Sequence, residues 1–115
     1  MATRSTIGIQ NDDETIEAVY CHWDGYLGGV GKTLKENYDS EDKIKHLLSF
    51  GNISSLGEDI NSSLFYERDR QEKDQESRIL STQEQLKNFK QEYNYIWIEN
   101  EWFYSEFNDT SLKKL

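Results

Sequence analysis

Near its start this chain carries side chains of the types that bind metals or act in catalysis: Cys21, His22, Asp24 and, further on, His46. Residues 15–24 (TIEAVYCHWD) read as a β-strand, and alternation along a strand sends Cys21 and His22 to opposite faces. No CxxC or HxxxH spacing occurs, so no structural zinc site is expected and no metal ligand is assigned. A nucleophilic Cys21 would need a base on its own face, and none is visible, so it reads as a small buried hydrophobe. Carboxylates are so frequent that no one pair stands out as an acid/base dyad. His22 with Asp24 is the only pair offered to chemistry, in a third-ranked reading as a phosphodiesterase-like enzyme. Catalytic residues and cofactors are otherwise not assigned.

Anion-binding chemistry has two candidates. Gly28-Gly29-Val30-Gly31-Lys32-Thr33 resembles the end of a phosphate-binding loop, but such a loop needs a glycine where this chain has Tyr26. What survives is a weaker expectation that free amides at a helix start hold an anion with Lys32. Arg68-Asp69-Arg70 is the second candidate. Two guanidiniums two residues apart share a face if the segment is a strand, and together they could clamp a phosphate or carboxylate. An alternating-sign solvated loop explains the same residues.

The elements that must position these groups follow from periodicity. Residues 3–10 and 15–24 flank an Asn/Asp-rich turn and read as a β-hairpin, with Val19, Cys21 and Trp23 on one face. Ile16, Ala18, Tyr20 and His22 fall on the other, and Gly25 ends the strand. A helix over 30–38 presents Val30, Leu34 and Tyr38 on one side. Ser40 caps a second, whose buried stripe is Ile44, Leu47 and Leu48, with Gly51 beyond its end. Residues 52–63 read as a loop anchored by Ile53 and Leu56, and Leu64-Phe65-Tyr66 as a brief strand. Ser81 and Glu84 form a capping box for a third helix over 82–92, with Leu86, Phe89 and Tyr93 at helical spacing. A tight turn at Glu99-Asn100 pairs Trp97 with Trp102, Tyr95 with Tyr104 and Ile96 with Phe103. The result is one α+β domain over 1–115, roughly ββααβαββ: a mainly antiparallel sheet of about five strands with three helices. Residues 67–80 are expected as a flexible loop and 108–115 as a frayed tail.

The chain has 115 residues, 35% hydrophobic and 30% charged, with aromatics at 13%. That suits a small globular domain with an aromatic-rich core. A net charge of −9 argues against general nucleic-acid binding, which relies on clustered Lys and Arg. It suits docking on basic proteins, or plain solubility. No apolar run is long enough to span a membrane, MATRSTIGIQ lacks the apolar stretch of a secretion signal, and one cysteine fits a reducing compartment.

The opening Met-Ala-Thr-Arg-Ser-Thr-Ile, YCHWDGY at 20–26, GNISSLG at 51–57, FYERDR at 65–70 and EWFY at 101–104 together resemble a family of small uncharacterised bacteriophage and prophage proteins. The similarity covers most of the chain, least at 71–80. It implies a phage accessory gene expressed in the host bacterial cytoplasm, and it adds weight to YCHWDGY and RDR as site residues.

The leading expectation is a non-enzymatic host-takeover or anti-defence inhibitor, binding a bacterial protein through an acidic and aromatic surface. The alternative is a sponge for a small anionic signal such as a nucleotide, with Tyr20, Trp23 and Tyr26 stacking and Arg4, Lys32, Arg68 and Arg70 meeting phosphates. The site residues named are Tyr20, His22, Trp23, Asp24, Tyr26, Lys32, Arg68 and Arg70. Because the last hairpin is apolar on both faces, a homodimer is expected.

Overall fold

The computed structural model describes residues 2–115; the side chains of Thr82 and Leu86 are outside it, and with Leu86 one member of the expected third-helix stripe. In chain order the elements are β1 (Ser5–Gln10), β2 (Ile16–Cys21), a π-helical turn at Leu27–Gly31, α1 (Lys32–Asn37), α2 (Glu41–Leu48), β3 (Ile53–Ser55), β4 (Leu64–Phe65), α3 (Tyr66–Arg70), β5 (Arg78–Leu80), α4 (Thr82–Lys87), β6 (Tyr93–Ile98), β7 (Glu101–Glu106) and β8 (Asp109–Lys114). The class is α+β, with eight strands and four helices in place of five and three.

The strands form one sheet in the order β4-β3-β2-β1-β6-β7-β8, with β5 on β2 beside β3. Most pairings are antiparallel, but β1 runs parallel to β6, and β2 to β3. The last hairpin has the expected register, Trp97 opposite Trp102, Tyr95 opposite Tyr104 and Ile96 opposite Phe103. Its turn residues Glu99 and Asn100 both take positive φ (49° and 68°), the geometry that two-residue hairpins favour.

One face of the sheet carries the main core. Ile7, Ile9, Val19, Cys21, Tyr95, Trp97 and Trp102 meet Val30, Leu34 and Tyr38 from α1 and its flanks, and Ile44, Leu47 and Leu48 from α2. Ser40 caps α2 by accepting from the Lys43 amide. The opposite face is thinner: Ile16, Ala18 and Ile96 are buried, with Leu80, Phe89, Ile98 and Leu112 packed around them. There Gln85 of α4 donates to Thr6 Oγ1, which donates to Asn94 Oδ1. The Gln85 amide can descend onto β1 because Gly8 lies beneath; a Cβ at Gly8 would stand 3.0 Å from Gln85 Oε1.

Several expectations are corrected. FYERDR is not a strand. Its first residues end β4 and Tyr66–Arg70 turn into α3, where the Asp69 carboxylate accepts the Phe65 amide at 2.8 Å and starts the helix. The polar stretch 67–80 therefore holds a helical turn and a strand, and Gln75 ties its middle to Asn52. The third helix stops at Lys87, because Tyr93 belongs to β6. The tail forms β8 on β7, clasped by Asp109 with Lys113. Strand β2 ends at Cys21, so alternation does not carry Trp23 into the core; it is 43% exposed. Among the described residues, no helix is long and apolar enough to cross a membrane.

Candidate functional site

Most backbone amides of the glycine turn after β2 bond within the turn. Asp24 takes a left-handed conformation (φ 57°), which folds the chain so that its carbonyl accepts the Val30 amide at 2.8 Å. The Gly29 and Gly31 amides both bond to Tyr26 O, and the Lys32 amide to Gly29 O and Leu27 O. Glycine is required at position 29, where a Cβ would collide with Asp24 O. Four successive amides, Gly29 to Lys32, are thus spent inside the turn and are not free to wrap a phosphate beside Lys32. Lys32 is exposed on α1, which packs on the main-core face, whereas Tyr20 alternates to the other face.

Cys21 is fully buried, and burial pushes its thiol up to about 12. It stays protonated and unreactive at neutral pH. His22 does not meet Asp24 in any hydrogen bond among the described residues. Its Nδ1 lies 2.6 Å from the Tyr20 hydroxyl, and its ring stands edge-on to Trp23 with centroids 4.8 Å apart. Tyr26 is exposed at the head of the glycine turn.

Arg68 is a structural tie. Nε and Nη2 bond to the Asp69 carboxylate, Nη1 to Ile60 O at 3.1 Å and Nη2 to Ser63 O at 2.9 Å. Its guanidinium lies over Phe65, 4.8 Å from the ring centroid, and near Phe50. The arginine locks the 60–63 loop to α3, and its hydrogen bond holds the Asp69 carboxyl below its ordinary value. Arg70 leans instead over the Tyr66 ring, 5.4 Å from its centroid, and remains exposed. The two arginines therefore do not clamp one group. Of the eight residues expected at the site, Tyr20, His22 and Trp23 are together, Asp24 and Tyr26 build the turn, Arg70 stands over Tyr66, and Lys32 and Arg68 lie elsewhere.

A different feature stands at the far end of the sheet. A hollow of about 340 Å³ is lined by Ile9, Gln10, Asn11, Asp12, Glu14, Glu41, Trp97, Glu99 and Asn100. Its carboxylates come from the β1–β2 turn, the β6–β7 turn and the first turn of α2, and Trp97, nearly buried, forms part of its wall. Glu41 pairs with Lys45 at 2.8 Å; Asp12, Glu14 and Glu99 have no ion-pair partner among the described residues. None of these residues was expected at a site from sequence, although Trp97, Glu99 and Asn100 were read as parts of the last hairpin. The available signal was that both hairpin turns are acidic, but only the parallel pairing of β1 with β6 brings them to the same end. Among the described residues no group of three or more His, Cys, Asp or Glu is arranged to hold a metal ion. The hollow suits a cationic side chain: carboxylates supply charge and the indole a flat apolar wall. No family model matches this chain, and neither does any curated protein or solved structure.

Proposed function

We propose that the protein acts by stoichiometric binding of a basic protein surface at the acidic hollow, as a non-enzymatic inhibitor. The single observation that supports this most is the hollow itself: a concave site with three unpaired carboxylates and no Lys or Arg in its lining. The net charge of −9 adds long-range attraction for a basic partner. The resemblance to bacteriophage proteins supplies the setting, a host bacterial cytoplasm and a takeover or anti-defence role. The sponge built on Arg68 and Lys32 loses support, because one is spent on the fold and the other stands on the opposite face of the sheet from Tyr20.

The test is capture of a partner from bacterial lysate by the wild type and by Asp12→Lys/Glu14→Lys/Glu99→Lys, with equal melting temperatures required. The wild type is expected to retain a basic protein at low salt and release it as salt rises. Retention of the same protein by the triple variant overturns the reading. A homodimer through the half-buried Ile98, Phe103 and Leu112 belongs to the same proposal, and light scattering at tens of micromolar decides it.

A further inference from the structure

The opposite end of the sheet gathers a second set of groups, independent of the acidic hollow. Arg4 precedes β1, Tyr20 lies near the end of β2, and His22 follows it. Asn52 joins them to α3: its side-chain oxygen accepts the Tyr20 amide at 2.9 Å, and its carbonyl accepts the Tyr66 amide at 3.3 Å. Tyr66 in turn carries Arg70 over its ring. Arg4 and Tyr66 both lie near enough to the Tyr20 phenol to act on it electrostatically, His22 touches its hydroxyl, and Arg70 covers Tyr66, so the five form a chain of neighbours at one end of the molecule. None of the ion pairs among the described residues involves Arg4 or Arg70. The nearby carboxylates are Glu92, which accepts the Arg4 amide at 3.4 Å, and Glu67 and Glu72 around α3.

The imidazole is oriented for donation. The Tyr20 phenol, raised above its ordinary value by burial with Arg4 acting the other way, lies 2.6 Å from Nδ1, and in one imidazole tautomer it donates to that nitrogen. In that tautomer the ring N–H is on Nε2, on the side of the ring away from Tyr20. The Trp23 ring stands perpendicular to the imidazole and is 43% exposed.

We propose that Arg4, His22 Nε2 and Arg70, framed by Tyr20 and Tyr66, bind a phosphoryl group, with the exposed Trp23 indole stacking a base attached to it. Two guanidiniums and an N–H donor match the oxygens of a phosphate monoester, and the indole distinguishes a mononucleotide from free phosphate. No bond is made or broken; the site binds.

The test uses the two histidines as reporter and control in one imidazole nitrogen NMR spectrum. Inorganic phosphate and then AMP are titrated at fixed pH and ionic strength. A saturable shift of the His22 signals, with His46 on α2 unmoved, is the expected result. AMP is expected to bind several-fold more tightly than phosphate, and Trp23→Ala to abolish that difference. Equal affinities leave the phosphoryl site standing and remove the indole from it. Arg4→Ala and Arg70→Ala are each expected to weaken AMP binding about tenfold, the loss of one charge-assisted contact. Both arginines are exposed, and melting curves verify that the variants fold. A His22 shift that is absent, that His46 shares, or that survives in the double arginine variant overturns the proposal.

Discussion

The two ends of the sheet solve opposite problems with the same strands. At the acidic end, charge is presented on tight turns whose shape is set by backbone: Glu14, Glu99 and Asn100 all take positive φ, and their side chains bear little of the structure. At the other end, side chains themselves cross-link the elements. Asn52 bridges β2 to α3, Arg68 fastens a loop, and Tyr95 donates to Gly25 O at 2.7 Å to hold the glycine turn. Surface chemistry at the first end can therefore change without altering the fold. At the second, a residue's charge does not reveal whether it binds a ligand or holds the chain, and only its partners decide.

The tryptophans give the largest contrast. Trp97 is 7% exposed against Trp102 and α1, whereas Trp23 stands 43% exposed. Trp97→Ala is expected to cost about 3–5 kcal/mol and Trp23→Ala less than about 1 kcal/mol. Denaturant unfolding of both variants checks this, and comparable losses would erase the distinction between the two ends.

Arg68 and Arg70 come next. Arg68→Ala removes bonds to two carbonyls and a carboxylate together with packing on Phe65, and about 2–3 kcal/mol is expected to be lost. The corresponding Arg70 variant is expected to stay within about 0.5 kcal/mol of wild type. Melting both variants separates a tie from a free cation; an Arg68→Ala protein as stable as wild type would mean that the loop needs no fastening.

These contrasts also explain what was legible in the sequence. The register of the last hairpin, from Tyr95 with Tyr104 to Trp97 with Trp102, could be read in the sequence, because alternation and a two-residue turn are local signals. Ser40 and the stripe Ile44, Leu47 and Leu48 marked α2 in the same local way. The β1–β6 pairing joins Ser5 with Tyr93 across most of the chain and leaves no local mark, so the acidic hollow it creates was not visible. α3 has no buried residue, and β8 is a polar edge strand, so neither carries the apolar period by which elements are recognised. Trp23 was misplaced by extending alternation two residues past the strand's end. Arg68 was misjudged because its acceptors include backbone carbonyls at Ile60 and Ser63, and carbonyls have no sequence signature.

The smallest effect concerns the turn of the acidic end. Asp13 accepts from the Thr15 hydroxyl at 2.6 Å and the Thr15 amide at 3.0 Å. The hydroxyl bond, then the amide bond, holds its carboxyl below the ordinary 3.8. A carboxylate lowered in the folded state stabilises above its unfolded pKa, and that contribution disappears as pH falls through the folded one. The turn should therefore be indifferent to pH near neutrality and begin to loosen only below about pH 4. Because Asp13 is fully exposed, solvent keeps the effect local. Amide exchange at Asn11 and Thr15 across an acid titration is expected to accelerate in the wild type as Asp13 protonates. Thr15→Val removes the stronger of the two bonds, so the Asp13 carboxyl should titrate nearer the ordinary value and the acceleration should begin at higher pH. If both proteins show the same midpoint, the Thr15 hydroxyl does not hold the carboxylate, and the acidic end is shaped by its backbone alone.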